Sequence, residues 1–139
     1  MKHKMVLLID DDIDDQEFFI TALSSIDNTR LYGVVNNGKE AINLLTKSLS
    51  LPDVIFMDCN MPLMNGKDCL NEILQNPRTH NIPVIMLSSS IDQKELFIQL
   101  GAKNFIKKAQ DIASLQTELR QAMESISVTY EKSTMRISV

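Results

Sequence analysis

At 139 residues, 44% apolar and 23% charged, the chain has the size and composition of one folded domain with one sizeable core. A net charge of -4 and a pI near 5.1 argue against a nucleic-acid-binding surface, and no apolar run approaches the length of a membrane span. The opening MKHKMVLLIDDD is too short in its apolar part, and too soon acidic, for a secretory signal. Cys59 and Cys69 lack metal-ligand spacing and fit buried, reduced thiols, so a cytoplasmic location is expected. His3 and His80 stand apart in polar contexts and suit a solvated surface better than a metal site.

Taken in chain order, Val6 to Ile9 is a short continuous apolar run, as expected of a strand buried on both faces. DDQEFFITALSSI follows, with Phe19, Leu23 and Ile26 at helical spacing. LYGVV reads as a strand, NNG as a turn and KEAINLLTKSL as a helix before Pro52. DVIFM is a third buried strand, NMPLMNG a loop with two breakers, and KDCLNEILQN a helix that ends before Pro77. IPVIML is a fourth strand. Ser90 and Gln93 have capping-box spacing ahead of a helix that Gly101 stops. NFI is a short fifth strand. Ile112, Leu115, Leu119, Ala122 and Ile126 form one apolar stripe on a last helix. Five alternations of strand and helix imply a doubly wound five-stranded parallel sheet with helices on both faces, an α/β fold. Residues 1–127 are expected to form this domain and 128–139 a C-terminal tail. There Met135, Ile137 and Val139 alternate with Arg136 and Ser138, which suits an extended segment packed on the domain or on a second copy, the alternative being a frayed, disordered terminus.

In an open parallel sheet, ligands bind beyond the carboxyl ends of the strands. Here the first strand ends at Asp10 and Asp11, the third at Asp58 and the fourth at Ser88, while Lys107 and Lys108 follow the fifth. Three carboxylates side by side repel unless a cation joins them, and an oxygen-only set suits Mg2+ or Mn2+. A carboxylate left free at such a site can attack a phosphoryl group, with a lysine and a hydroxyl holding its oxygens. Asp12, Asp14 and Asp15 fall near the start of the first helix, where capping or a solvated role accounts for them.

The ordered segments LLIDDD, VIFMDCNMPLMNG, IPVIMLSSS and GAKNFIKKA resemble the receiver domain of two-component response regulators, of the single-domain, chemotaxis-regulator-like kind with a flavodoxin-like fold. The resemblance covers the chain from about Met5 to Ile126. It implies that Asp58 is the phosphoacceptor. Asp10, Asp11, Asp58 and the backbone carbonyl of Asn60 would then hold the metal. It also implies that Lys108 and Ser88 assist the transfer, and that Ser88 and Phe105 form a switch pair, Phe105 following Ser88 inward. The implied donor is a sensor histidine kinase or a histidine phosphotransfer protein, and the implied output is a downstream protein target. A homodimer near the last helix is a further implication. On this reading the chain is a signalling domain with self-catalysed phosphotransfer and autodephosphorylation rather than an enzyme with a separate substrate. No output domain is expected, because few residues follow Ile126.

Two departures stand out. Phe105 lacks the hydroxyl of the family's commoner tyrosine, and Ala109 replaces the proline that usually follows the lysine. A cis bond before alanine costs roughly 2.5–4 kcal/mol, so a trans Lys108–Ala109 peptide is expected, with the lysine still reaching Asp58. Two alternatives remain at this point. Asp10 and Asp12 have the D-x-D spacing of haloacid-dehalogenase-like phosphatases, which would make the chain a phosphatase, and a receiver can also act as an unphosphorylated binding surface.

Overall fold

The computed structural model describes residues 3–138, with side chains described from 3 to 126. The elements are β1 (Lys4–Ile9), α1 (Ile13–Ser24), β2 (Thr29–Val35), α2 (Gly38–Lys47), β3 (Val54–Asp58), α3 (Gly66–Gln75), β4 (Val84–Ser88), α4 (Lys94–Leu100), β5 (Asn104–Lys107) and α5 (Ile112–Ser138). All strand pairs are parallel, in the order β2-β1-β3-β4-β5. This is the five-stranded parallel sheet that the alternation predicts. The order reverses at β1, so the crevice for a ligand opens between the carboxyl ends of β1 and β3.

Continuous apolar strands are required because both faces are covered. Side chains alternate between the faces with period two. Val6, Leu8, Val54, Phe56, Ile85, Leu87 and Ile106 pack with Phe19, Leu23, Leu115 and Leu119, beneath α1 and α5. Leu7, Ile9, Ile55, Met57, Val84, Met86 and Phe105 pack with Leu45, Leu70, Ile73 and Phe97, beneath α2, α3 and α4. The Phe19 and Phe56 rings meet at 5.2 Å between centroids, tilted by 60°.

The helices facing the crevice start on rigid caps. Asp12, Asn37 and Asn65 each accept the N–H three residues on, from Asp15, Glu40 and Asp68. α4 departs from expectation. It begins at Lys94 with no side-chain cap from Gln93, and the Ser90 hydroxyl instead accepts the Asp92 N–H at 3.1 Å. A local turn at 91–93 has taken the serine that a capping box would use.

The expected extended tail is also corrected. α5 continues as one helix through Ser138, across the boundary expected at 127, and Val139 lies outside the described residues. No glycine or proline stands between Ile112 and Ser138, so nothing local stops a helix already nucleated on the core. A two-residue alternation over five positions is too short to outweigh that propagation.

Replacing Phe56, fully buried at the centre of the sheet, by alanine should cost about 3–5 kcal/mol in urea unfolding without changing the fold. A loss under about 1 kcal/mol would contradict the two-layer core.

Candidate functional site

The backbone ladder fixes where each polar side chain of the rim begins. The Asp10 N–H donates to the Val35 carbonyl at 3.0 Å, one residue beyond β1. The Cys59 N–H donates to the Leu87 carbonyl at 3.0 Å, one residue beyond β3. The Lys108 N–H donates to the Ser88 carbonyl at 2.7 Å, one residue beyond β5. The strands thus hold these residues past their regular ends, and little of the placement depends on loop flexibility.

Asp10, Asp11 and Asp58 each offer an oxygen within 4.8 Å of the other two. Asp10 and Asp58 are buried, while Asp11 faces solvent. The Lys108 ammonium lies 3.3 Å from Asp10 Oδ2 and 3.6 Å from Asp58 Oδ1. Its shortest contact is a third carboxylate, Asp15 Oδ2 at 2.7 Å. Lys107 is exposed, and of the two adjacent lysines it is Lys108 whose ammonium meets these carboxylates. Ser88 is buried, and its hydroxyl accepts the Ser90 N–H at 3.3 Å. The Asn60 N–H donates weakly to Asp58 Oδ1 at 3.4 Å. Phe105 is already inside, with its ring 6.1 Å from that of Phe97 on α4. No cis peptide occurs among the described residues, so Lys108–Ala109 is trans, and the lysine still reaches the carboxylates as expected.

The loop from β3 to α3 turns back tightly. The Gly66 N–H donates to the Cys59 carbonyl at 3.1 Å, and a Cβ on Gly66 would fall 2.8 Å from that oxygen. Only glycine fits this approach. Leu63, in the same loop, takes a left-handed φ of 67°, a strained conformation for that side chain.

Sequence reasoning assigned too little to Asp15 and Gln16, while Asp12 takes the capping role expected of it. Asp12 does cap α1, which spends its carboxylate on the helix and removes the D-x-D pairing with Asp10. Asp15 does more than cap or solvate, since it holds Lys108. Gln16 donates its Nε2 protons to the Asp10 carbonyl at 2.6 Å and to Asn36 Oδ1 at 2.8 Å, tying the acidic loop to the β2–α2 loop. The available signal was the start of α1 only two residues after Asp11, which keeps Asp15 and Gln16 at the rim.

The electrostatics follow from burial. Burial pushes Asp58 up to about 6; the Lys108 charge pulls it down, and the Asp10 charge raises it again. Burial likewise raises Asp10, against the Asp12 N–H and Lys108. For Lys108, burial works to lower the pKa. The Asp15 hydrogen bond and the charges of Asp10 and Asp58 outweigh it and hold the ammonium above its ordinary value. Burial pushes the Cys59 thiol up to about 12, so it remains protonated and a poor metal ligand. The donor set is therefore oxygen alone, two buried carboxylates and one open to water. That set fits a hard divalent cation that keeps part of its hydration.

A sequence model of the response regulator receiver domain matches residues 6–120. The chain belongs to this family. It is 36% identical over 114 residues to a protein-glutamate methylesterase/protein-glutamine glutaminase of Bacillus subtilis (strain 168), a match covering 79% of this chain and 30% of that protein. The chain thus spans about a third of the length of the curated relatives it matches. Among solved structures, it is similar to the phosphorylated cyanobacterial phytochrome response regulator RcpA, with a TM-score of 0.79, 28% identity and coverage of 91% of this chain and 96% of that one. It is also similar to the Mn(2+)-bound form of response regulator Rcp1, with a TM-score of 0.73, 25% identity and coverage of 85% and 90%. No described helix is long and apolar enough to cross a membrane.

The raised Asp58 pKa sets a pH dependence for the metal-free receiver. A carboxyl raised from 3.8 to about 6 on folding contributes stability that is complete below 3.8 and lost as pH rises through 6. Removing the charge should therefore stabilise the metal-free protein at pH 7.5, by at most roughly 2–3 kcal/mol, and have little effect near pH 4. Thermal unfolding of Asp58→Asn and wild type in chelator at both pH values checks this; equal differences at both would refute it.

Proposed function

We propose that this receiver domain takes a phosphoryl group onto Asp58 from the phosphohistidine of a sensor histidine kinase or histidine phosphotransfer protein. The observation that carries this reading is the setting of Asp58. It closes β3 at the crevice, next to Asp10 and Asp11, with the Lys108 ammonium 3.6 Å away. An Asp58 oxygen attacks phosphorus, the bond to the histidine nitrogen breaks, and the electron pair leaves with the imidazole. Asp10, Asp11, Asp58 and the Asn60 backbone carbonyl would hold Mg2+ or Mn2+. When bound, the cation supplies charge neutralisation for the carboxylates and the incoming phosphoryl oxygens.

Lys108 holds another phosphoryl oxygen through its ammonium, and the Ser88 hydroxyl, buried at the end of β4, donates to a third. Water attack on the acyl phosphate reverses the modification. Ser88 is the link to the surface. Its movement towards the phosphoryl group withdraws the hydroxyl from the Ser90 N–H, freeing the β4–α4 loop. Phe105 has no hydroxyl to favour water and is already packed on Phe97, so the signal passes through the β4–α4 loop more than through a rotating ring. The methylesterase and glutaminase activities belong to the longer relatives by name, and they are not carried over to this chain.

Acetyl phosphate with Mg2+ should label the wild-type protein at Asp58, as read by mass spectrometry after borohydride trapping. Asp58→Asn and chelator should each abolish the label. Lys108→Ala should slow labelling by about 10²-fold or more while the protein stays folded. Labelling that survives Asp58→Asn would overturn the assignment.

A further inference from the structure

We infer that Asp15 is a positioning residue that anchors the Lys108 ammonium at the edge of the acidic site and so keeps the oxygens of Asp10 and Asp58 open to a divalent cation. The inference rests on reading the site as a cation-assisted phosphoryl acceptor. The geometry that supports it begins at the cap of α1. With Asp12 as N-cap, Asp15 occupies the third helical position, from which an acidic side chain normally reaches back to the N–H of the cap residue. That N–H is already taken, because Asp12 donates it to Asp10 Oδ1 at 3.0 Å. The Asp15 carboxylate is left without its local partner and turns to Lys108 instead, at 2.7 Å.

Lys108 has no comparable hold elsewhere. Its next contacts are Asp10 at 3.3 Å and Asp58 at 3.6 Å, both within the trio that could hold a metal. Asp15 is outside that trio. An ammonium and a divalent cation compete for the same carboxylate lone pairs, so an ammonium released from Asp15 would settle on Asp10 and Asp58 and oppose the cation. The Asp15–Lys108 pair also borders a small cavity lined by Phe18, Phe19 and Ala109, whose apolar walls strengthen the pair relative to one in open water. Asp15 keeps 43% of its side chain exposed, which limits the effect through screening.

The test is a double-mutant cycle on the full chain, with Mg2+ affinity read by titration calorimetry. Asp15→Asn should weaken Mg2+ binding roughly two- to fivefold, and Asp15→Glu should retain most of it. Asp14→Asn is the control, since it removes the same charge from the neighbouring exposed position. In a Lys108→Ala background, Asp15→Asn should have no more effect than Asp14→Asn. An equal loss with and without Lys108, or an Asp15→Asn effect no larger than the control, would overturn the anchor.

A second readout needs no metal. The Lys108 ammonium resonance in nitrogen-detected NMR should be protected from water exchange in wild type and Asp15→Glu, and lost in Asp15→Asn. Protection unchanged in Asp15→Asn would also refute the anchor. If wild type binds Mg2+ but takes no label from acetyl phosphate, the acceptor reading fails while the anchor stands. If wild type binds no Mg2+, the proposed role of Asp15 in keeping the carboxylates open to a cation falls, whatever the ammonium resonance shows.

Discussion

One ammonium lies among three carboxylates, and the rest of the rim is arranged around that imbalance. Lys108 touches Asp15, Asp10 and Asp58 at 2.7, 3.3 and 3.6 Å, with Asp11 beside them. Two like charges about 4 Å apart repel by about 4 kcal/mol at an effective dielectric near 20. Several such pairs would rival the whole stability of a domain, typically about 5–15 kcal/mol. The metal-free protein reduces the repulsion by raising Asp10 and Asp58 and by holding Lys108 charged. A site whose carboxylates are strained in this way gains most when a cation arrives, because binding removes a repulsion as well as adding ligand bonds.

Only a rigid frame can keep such groups together, and the sheet supplies it. Val6 to Ile9 and Val54 to Met57 are buried without exception, and each alternates its side chains between two separately packed layers. A one-residue slip of β3 would send Asp58 to the wrong face and every apolar neighbour with it, so the core enforces the register of the site. The close return of Gly66 onto the Cys59 carbonyl then fixes the loop that carries Asn60. The energetic support of the acidic cluster is therefore apolar and distributed, and little of it comes from the ion pairs themselves.

This explains what was legible in the sequence. Buried parallel strands are short apolar runs, and the residue that ends each run must face the crevice, so Asp10, Asp58 and Ser88 could be placed from the alternation alone, while Lys108 was chosen over Lys107 only through the family resemblance. The trans Lys108–Ala109 peptide was legible too, from the cost of the alternative. Three features were not. The start of α4 depends on whether Ser90 caps a helix or a turn, two uses that compete for the same hydroxyl. The end of α5 depends on propagation from the core, which a window of a few residues does not contain. The Asp15 contact depends on Asp12 having given its N–H to Asp10, a competition settled only in three dimensions.

The two packed layers also divide the work at the rim. Asp15 projects from α1, and Lys108 is bordered by Phe18, Phe19 and Leu115, so the ammonium is held over the layer of α1 and α5. Phe105 lies on the opposite face of the sheet, packed on Phe97 beneath α4. On the proposed reading, the charge of Lys108 is set from one layer and the signal leaves through the other. Their point of contact is the end of β4, where the Ser88 carbonyl accepts the Lys108 N–H and its hydroxyl oxygen accepts the Ser90 N–H of the loop leading into α4. With phenylalanine at 105 and alanine at 109, neither residue adds a polar group of its own to that junction. The coupling then falls to the backbone of β4 and β5 and to one serine hydroxyl. On that reading, a partner protein would recognise the β4–α4 loop, whose hydrogen bonds would change with the state of Asp58, in preference to an aromatic ring already packed on Phe97.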